Sequence, residues 1–198
     1  MFKRLFGKKA PPGGVAEMIV VTLNAKLQPM DRGEHFEDPL DAVLRKTGIG
    51  EVSGGGTLQE KSGEIAECDI EISLSSTPDK AVPVIISKLE ELGAPKGSKL
   101  RIEKSGVEHA LGKAEGLAVY LNGTDLPAET YKACDSNFVY SEFDRLLAGE
   151  GRVFSHWQGP TETALYMYGG SFSEMKRRIE GFIATYPLCE RCRIAQVA

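Results

Sequence analysis

The sequence predicts an α+β protein built from two tandem β-α-β-β-α-β units with mainly antiparallel sheets. Three observations carry that prediction. A strand pattern, Glu17-Met-Ile-Val-Val-Thr-Leu-Asn24, returns as Glu115-Gly-Leu-Ala-Val-Tyr-Leu-Asn122. A short helical pattern, Leu40-Asp-Ala-Val-Leu44 with Gly48, returns as Phe143-Asp-Arg-Leu-Leu147 with Gly151 at the same spacing. The remaining strand-like and helix-like segments then follow in the same order in both halves, which marks an internal duplication.

In the first half, the opening strand is apolar or β-branched and ends at a turn-forming Asn24. The helix around Leu40–Leu44 stops at Gly48, which can take the left-handed conformation beyond a helix end. Residues 50–59 and 64–74 read as strands joined by the polar Glu60-Lys-Ser-Gly63 turn. In the second of these, apolar Cys68, Ile70, Ile72 and Leu74 alternate with Asp69, Glu71 and Ser73. Val82, Ile85, Ile86, Leu89 and Leu92 share one helical face. Thr77-Pro78 has the form of a cap, but Pro83 predicts a kink or restart in that helix. Gly93 closes it, and 99–103 gives the last short strand.

In the second half, 152–158 and 163–168 are strands joined by a tight Gly159-Pro160 turn. Ser171 with Glu174 reads as a capping box opening a helix. Met175, Ile179, Phe182, Ile183 and Tyr186 form the apolar stripe of that helix, and Pro187 stops it. A final strand covers 192–197. This order resembles the ferredoxin-like fold, in which two helices cover one face of a four-stranded antiparallel sheet. The resemblance is topological and implies no activity. It divides the chain into a flexible basic tail (1–14), one repeat (15–104), a polar linker (105–115) holding Gly106 and Gly112, and a second repeat (116–198). The linker is short, so the repeats should pack as a pseudo-dimer, by pairing edge strands or by stacking open sheet faces.

The composition agrees. The 198 residues are 41% hydrophobic, 26% charged and 8% aromatic, with 22 Gly and 10 Pro, near the averages for globular chains and unlike disordered, collagenous or coiled-coil ones. No apolar run approaches the roughly 18–20 residues of a membrane span. Four cysteines are too few for a disulfide framework and point to a reducing, cytoplasmic setting. Phe2, Leu5 and Phe6 could give residues 1–9 a weak membrane-surface contact, although a frayed tail is the simpler reading. That tail holds four of the 24 basic residues and none of the 28 acidic ones, so residues 15–198 carry a net −8. An acidic body argues against nucleic acid and would steer a basic partner towards the protein.

The motifs are sparse. Gly54-Gly55-Gly56-Thr57 lacks the Lys-Ser/Thr and following helix of a phosphate loop. It leaves a strand without side chains, suited to a bulge or to close approach of a backbone or ligand. Cys189-Glu-Arg-Cys192 has the spacing of half a zinc site or a redox pair. It follows a helix and opens a strand, so the thiols read as structural. His156 and Trp157, beside Glu162 and across from Tyr166 and Tyr168, form the densest group of functional side-chain types. They could line a binding surface, with His156 and Glu162 as polar handles, or form an ordinary aromatic core. Asn122-Gly123-Thr124 reads as a turn and Lys176-Arg177-Arg178 as a solvated helix face. No catalytic signature and no cofactor or metal motif is present.

The sequence therefore predicts a non-enzymatic, bacterial-type binding protein for a partner protein, such as a basic one met as by an inhibitor or immunity protein. The candidate binding residues are Gly54, Gly55, Gly56, Thr57, His156, Trp157, Glu162, Tyr166 and Tyr168. The alternative is a small-ligand-sensing domain or small enzyme with its site in the inter-repeat cleft near His156, Trp157 and Glu162.

Overall fold

The computed structural model describes residues 17–198. The basic tail of residues 1–14 and the membrane contact expected of residues 1–9 lie outside the described residues. Two antiparallel sheets with helices make up an α+β fold of two β-α-β-β-α-β repeats. In the first, β1 (Met18–Leu23), β2 (Gly50–Gln59), β3 (Ile65–Leu74) and β4 (Ser98–Ile102) are ordered β2-β3-β1-β4. In the second, β6 (Glu115–Asn122), β7 (Gly151–Gln158), β8 (Glu162–Gly169) and β9 (Arg193–Gln196) are ordered β7-β8-β6-β9, which is the same path. The linker differs from expectation. It contributes β5 (Glu108–Leu111), which pairs with β4 and widens the first sheet to five strands.

Alternation decides which face is covered. On β1 and β3, Ile19, Val21, Leu23, Cys68, Ile70 and Ile72 are buried. They pack under α2 (Asp38–Thr47) and α3 (Pro78–Glu91) through Leu40, Leu44, Ile85 and Leu89. In the second repeat, Leu117, Val119, Leu165 and Met167 are covered by α5 (Ser136–Leu147), which follows the short α4 (Ala128–Ala133), and by α6 (Phe172–Ile183). The apolar stripe of α5, Val139-Phe143-Leu147, repeats the Phe36-Leu40-Leu44 stripe of the first half, all six residues being 0% exposed.

The two repeats also share a hydrogen-bonding device. Val52 N donates to Asp41 Oδ1 at 2.8 Å, and Val153 N donates to Asp144 Oδ1 at 3.2 Å. In both strands the ladder slips at the next residue, giving β-bulges at Ser53 and Phe154. The repeated Leu-Asp and Phe-Asp pairs thus place a helix carboxylate against the edge strand. Asp41→Ala and Asp144→Ala should each cost about 1 kcal/mol of stability, read as a lower urea midpoint at unchanged slope.

Several local expectations are corrected. α3 runs from Pro78 to Glu91 through Pro83 without a break, opened by Thr77 in extended conformation. Pro83 is exposed, and the carbonyl it leaves without a donor belongs to Asp79, in the exposed first turn. The left-handed glycine after α5 is Gly149 (φ 83°), not Gly151. Gly151 opens β7, where a Cβ would meet Tyr168 O at 2.8 Å. Ser171 caps α6, but Glu174 turns to Arg177 and Arg178 instead of closing the capping box. The sheets do not join edge to edge, and the two open faces do not stack on each other. Instead the second sheet's outer face, with Ala118, Tyr120, Ala164, Tyr166 and Tyr168, joins the first repeat's core. Its partners there include Ala25, Leu27 and Phe36, from the segment after β1. That segment holds α1 (Pro29–Arg32) and a π-helical turn (Gly33–Glu37). The contact is asymmetric: the second sheet's outer face is covered, and among the described residues nothing covers the first sheet's.

Candidate functional site

The covered face accounts for most of the aromatic candidates. Tyr166 and Tyr168 are 1% and 2% exposed in the inter-repeat core. Tyr166 Oη and Tyr120 Oη both donate to Glu64 Oε1, at 2.8 and 2.7 Å, and Lys26 Nζ lies 3.0 Å from the same oxygen. Burial by itself would raise the Glu64 pKa. The three donors outweigh it and hold the carboxyl below its ordinary 4.5, while burial and that carboxylate push the Tyr120 phenol up to about 12. Tyr168 Oη accepts from Lys26 N at 2.8 Å. Phe154, displaced by the bulge, turns to the first repeat and stacks on Phe36. Trp157 is half-buried against the same core.

His156 and Glu162 do not converge. His156 pairs with Leu165 in the ladder, on the helix-covered side, and borders a cavity of about 270 Å³ with Ser136, Asn137 and Tyr140. Glu162 lies on the opposite side, bridged to Arg193 at 3.1 Å, whose guanidinium stacks 3.6 Å from the Tyr120 ring. The two cannot act as an acid–base pair on one substrate.

The triglycine strand is shaped by a buried ion pair that no motif announces. Arg32, 7% exposed, donates from Nε to Glu37 Oε1 at 2.6 Å. From Nη1 it donates to Gly56 O at 2.6 Å and Thr57 Oγ1 at 2.8 Å. A Cβ on Gly55 would sit 2.6 Å from Glu37 Oε1, so glycine there makes room for the pair. Gly54 and Gly56 point to the other, open face, opposite Glu71 and Asp69 of β3.

On that open face Glu67, Asp69 and Glu71 stand in one column at alternate residues, about 7 Å apart. Their lateral neighbours in register are Leu58, Gly56 and Gly54 on one side, and Thr22 and Val20 on the other. The face's cations, Lys99 and Arg101, are already bridged to Glu108 (3.8 Å) and Glu103 (3.2 Å). Among the described residues none of the three β3 carboxylates has an ion-pair partner within 4 Å, and Asp69 Oδ1 is buried without a hydrogen-bond partner. Residues 17–104 carry 16 acidic and 11 basic side chains, so the first repeat is the more acidic half.

A cleft of about 620 Å³ opens between the repeats, away from His156 and Glu162. Gly93 and Lys113 from the first repeat and linker face Glu150, Arg152, Phe154 and Gly170 from the second. Arg152 lies 4.4 Å over the Phe154 ring.

No helix of the described residues is long and apolar enough to cross a membrane. No protein-family model matches the chain, and no curated protein sequence matches it. Among solved structures, the chain is similar to the first two RRM domains of yeast poly(U) binding protein. That match has 10% identity and a TM-score of 0.26, covering 91% of this chain and 99% of the other. It is also similar to the ligand-free regulatory subunit of aspartate kinase from Thermus thermophilus, at 10% identity and a TM-score of 0.29, covering 85% and 93%. At these scores the neighbours lend no activity, and the ferredoxin-like assignment stands on the repeated strand order of the chain itself.

Proposed function

We propose that the protein is a binding protein that takes a basic protein partner on the open face of its first sheet. The observation that supports this most is the β3 column, Glu67, Asp69 and Glu71, none of which is ion-paired among the described residues while the neighbouring Lys99 and Arg101 are bridged elsewhere. Three like charges on one strand face repel one another, a cost that an incoming Lys or Arg would remove by pairing with the exposed Glu67 and Glu71 carboxylates. Gly54 and Gly56 leave β2 without side chains beside the column, so a partner's backbone can approach closely. The charge has the wrong sign for a phosphate backbone, and the face presents no aromatic side chain for base stacking. The inhibitor or immunity-type role expected from the acidic sequence is the finer form of this reading.

A decalysine peptide serves as the probe. Glu67→Lys with Glu71→Lys should weaken its binding tenfold or more at low salt. Reversing Glu129 and Glu142, exposed or paired carboxylates of the second repeat, should change it little. Equal loss in both variants would mean that general acidity, not this face, does the binding. A second reading, a small ligand between the repeats, is favoured by the 620 Å³ cleft, within the usual size of ligand pockets.

A further inference from the structure

The Cys189–Cys192 segment forms a tight turn whose geometry the sequence pattern did not reveal. Cys192 N donates to Cys189 O at 3.1 Å. Glu190 has φ −59° and ψ 131°, and Arg191 has φ 59°. These are the dihedrals of a type II β-turn, with Arg191 where glycine is usual. Arg191 is the only non-glycine residue with positive φ among the described residues, so the surrounding structure holds this turn in place. The first and fourth Cα atoms of such a turn lie within about 7 Å, overlapping the roughly 4.4–6.8 Å that disulfides span. Cys189 is buried at 2% exposure, and Cys192, at the mouth of β9, is half-buried. No three His, Cys, Asp or Glu side chains among the described residues are placed to share a metal ion.

We propose that Cys189 and Cys192 are a dithiol that closes to a disulfide across this turn, with the more accessible Cys192 attacking first and Cys189 resolving. The oxidant is a low-molecular-weight disulfide. The Cys192 thiolate attacks one of its sulfurs, forming a mixed disulfide and releasing one small thiolate. Cys189 then gives its proton to solvent and attacks Cys192 Sγ, and the second small thiolate leaves. The protein loses two electrons and two protons, and the oxidant becomes two thiols.

Burial, and then the nearby Cys192 and Cys134, push the Cys189 thiol up to about 12. A dithiol oxidoreductase instead stabilises its thiolate. This pair therefore closes slowly, and its disulfide has no stabilised thiolate as leaving group, which suits a lock more than a catalyst. The lock sits where the chain enters β9, whose Arg193 covers Tyr120 at the inter-repeat core.

The full-length protein is incubated with oxidised glutathione, alkylated with iodoacetamide and mapped by mass spectrometry. Two of the four cysteines should become protected, linked Cys189 to Cys192, and should be recovered with dithiothreitol. Cys192→Ser should abolish closure, and Cys134→Ser should leave it unchanged. Cys189→Ser should stop at a glutathione adduct on Cys192. Because that last variant puts a hydroxyl in a buried site, the two half-buried positions carry the test if it does not fold. Four alkylated cysteines after oxidation, a disulfide that includes Cys134, or thiols that react only after a chelator is added would each overturn the proposal.

Discussion

Phe154→Ala is expected to lower the unfolding free energy by about 3–5 kcal/mol, the range for removing a large aromatic from a packed core. The ring is 3% exposed and lies between the repeats. It stacks on Phe36 at 5.8 Å, meets His35 and Tyr168 edge-on at 5.0 and 5.4 Å, and lies under Arg152. The first repeat cannot refill the space cheaply, because the ring fits against Gly93, where a Cβ would come within 3.2 Å of it. Trp157, the single tryptophan, is at the same junction, so its fluorescence in urea reads the effect directly. A loss below about 1 kcal/mol would place the ring outside a packed core.

Glu64→Ala is the second large effect, at about 3 kcal/mol, because it leaves two buried phenol hydroxyls without an acceptor, while Lys26 Nζ keeps Ile65 O at 3.0 Å. Tyr120 Oη, Tyr166 Oη and Lys26 Nζ all converge on Glu64 Oε1, and the Lys26 and Glu64 side chains are 15% and 14% exposed. Glu64→Gln keeps an acceptor and should lose less. The pH dependence follows from the direction of the shift. The folded pKa is below the ordinary 4.5, so below that value the unfolded chain takes up the proton first. Stability from this carboxylate is full above the unfolded pKa and is lost as pH falls through the folded one. Urea midpoints of the parent should therefore drop more than those of Glu64→Gln between about pH 5 and pH 3. Parallel curves would mean that Glu64 is not held by the two phenols and Lys26.

The repeats were legible because strand alternation and helix stripes are written in apolar residues, as in Cys68-x-Ile70-x-Ile72 and Val82…Ile85…Leu89. What escaped was short or aperiodic. β5 is four residues, Glu108–Leu111, with no alternation to mark it. Residues 29–47 follow one continuous helical path whose middle, Gly33–Glu37, is a π-helical turn, which the 3.6-residue period does not describe.

The candidate site divides in the same way. Trp157, Tyr166 and Tyr168 were visible as a hairpin of aromatics. Their burial against the first repeat depends on how the two repeats meet, which no local pattern encodes. The bulge at Phe154 likewise turns that ring to the junction without a sequence signal. Arg32, Glu37 and Glu64 look like solvated charges in the sequence, and only the folded chain brings their partners to them. The triglycine run suggests a bulge or the approach of a backbone or ligand, whereas what lies against Gly55 is the protein's own Arg32–Glu37 pair.

The most direct measurement is a backbone-amide NMR titration with the decalysine probe at low ionic strength. Shifts should gather on residues 67–71 of β3 and on Gly54 and Gly56, and should fade as salt screens the carboxylates. Shifts that gather on the second repeat instead, or that persist undiminished in high salt, would contradict an acidic docking face on the first sheet.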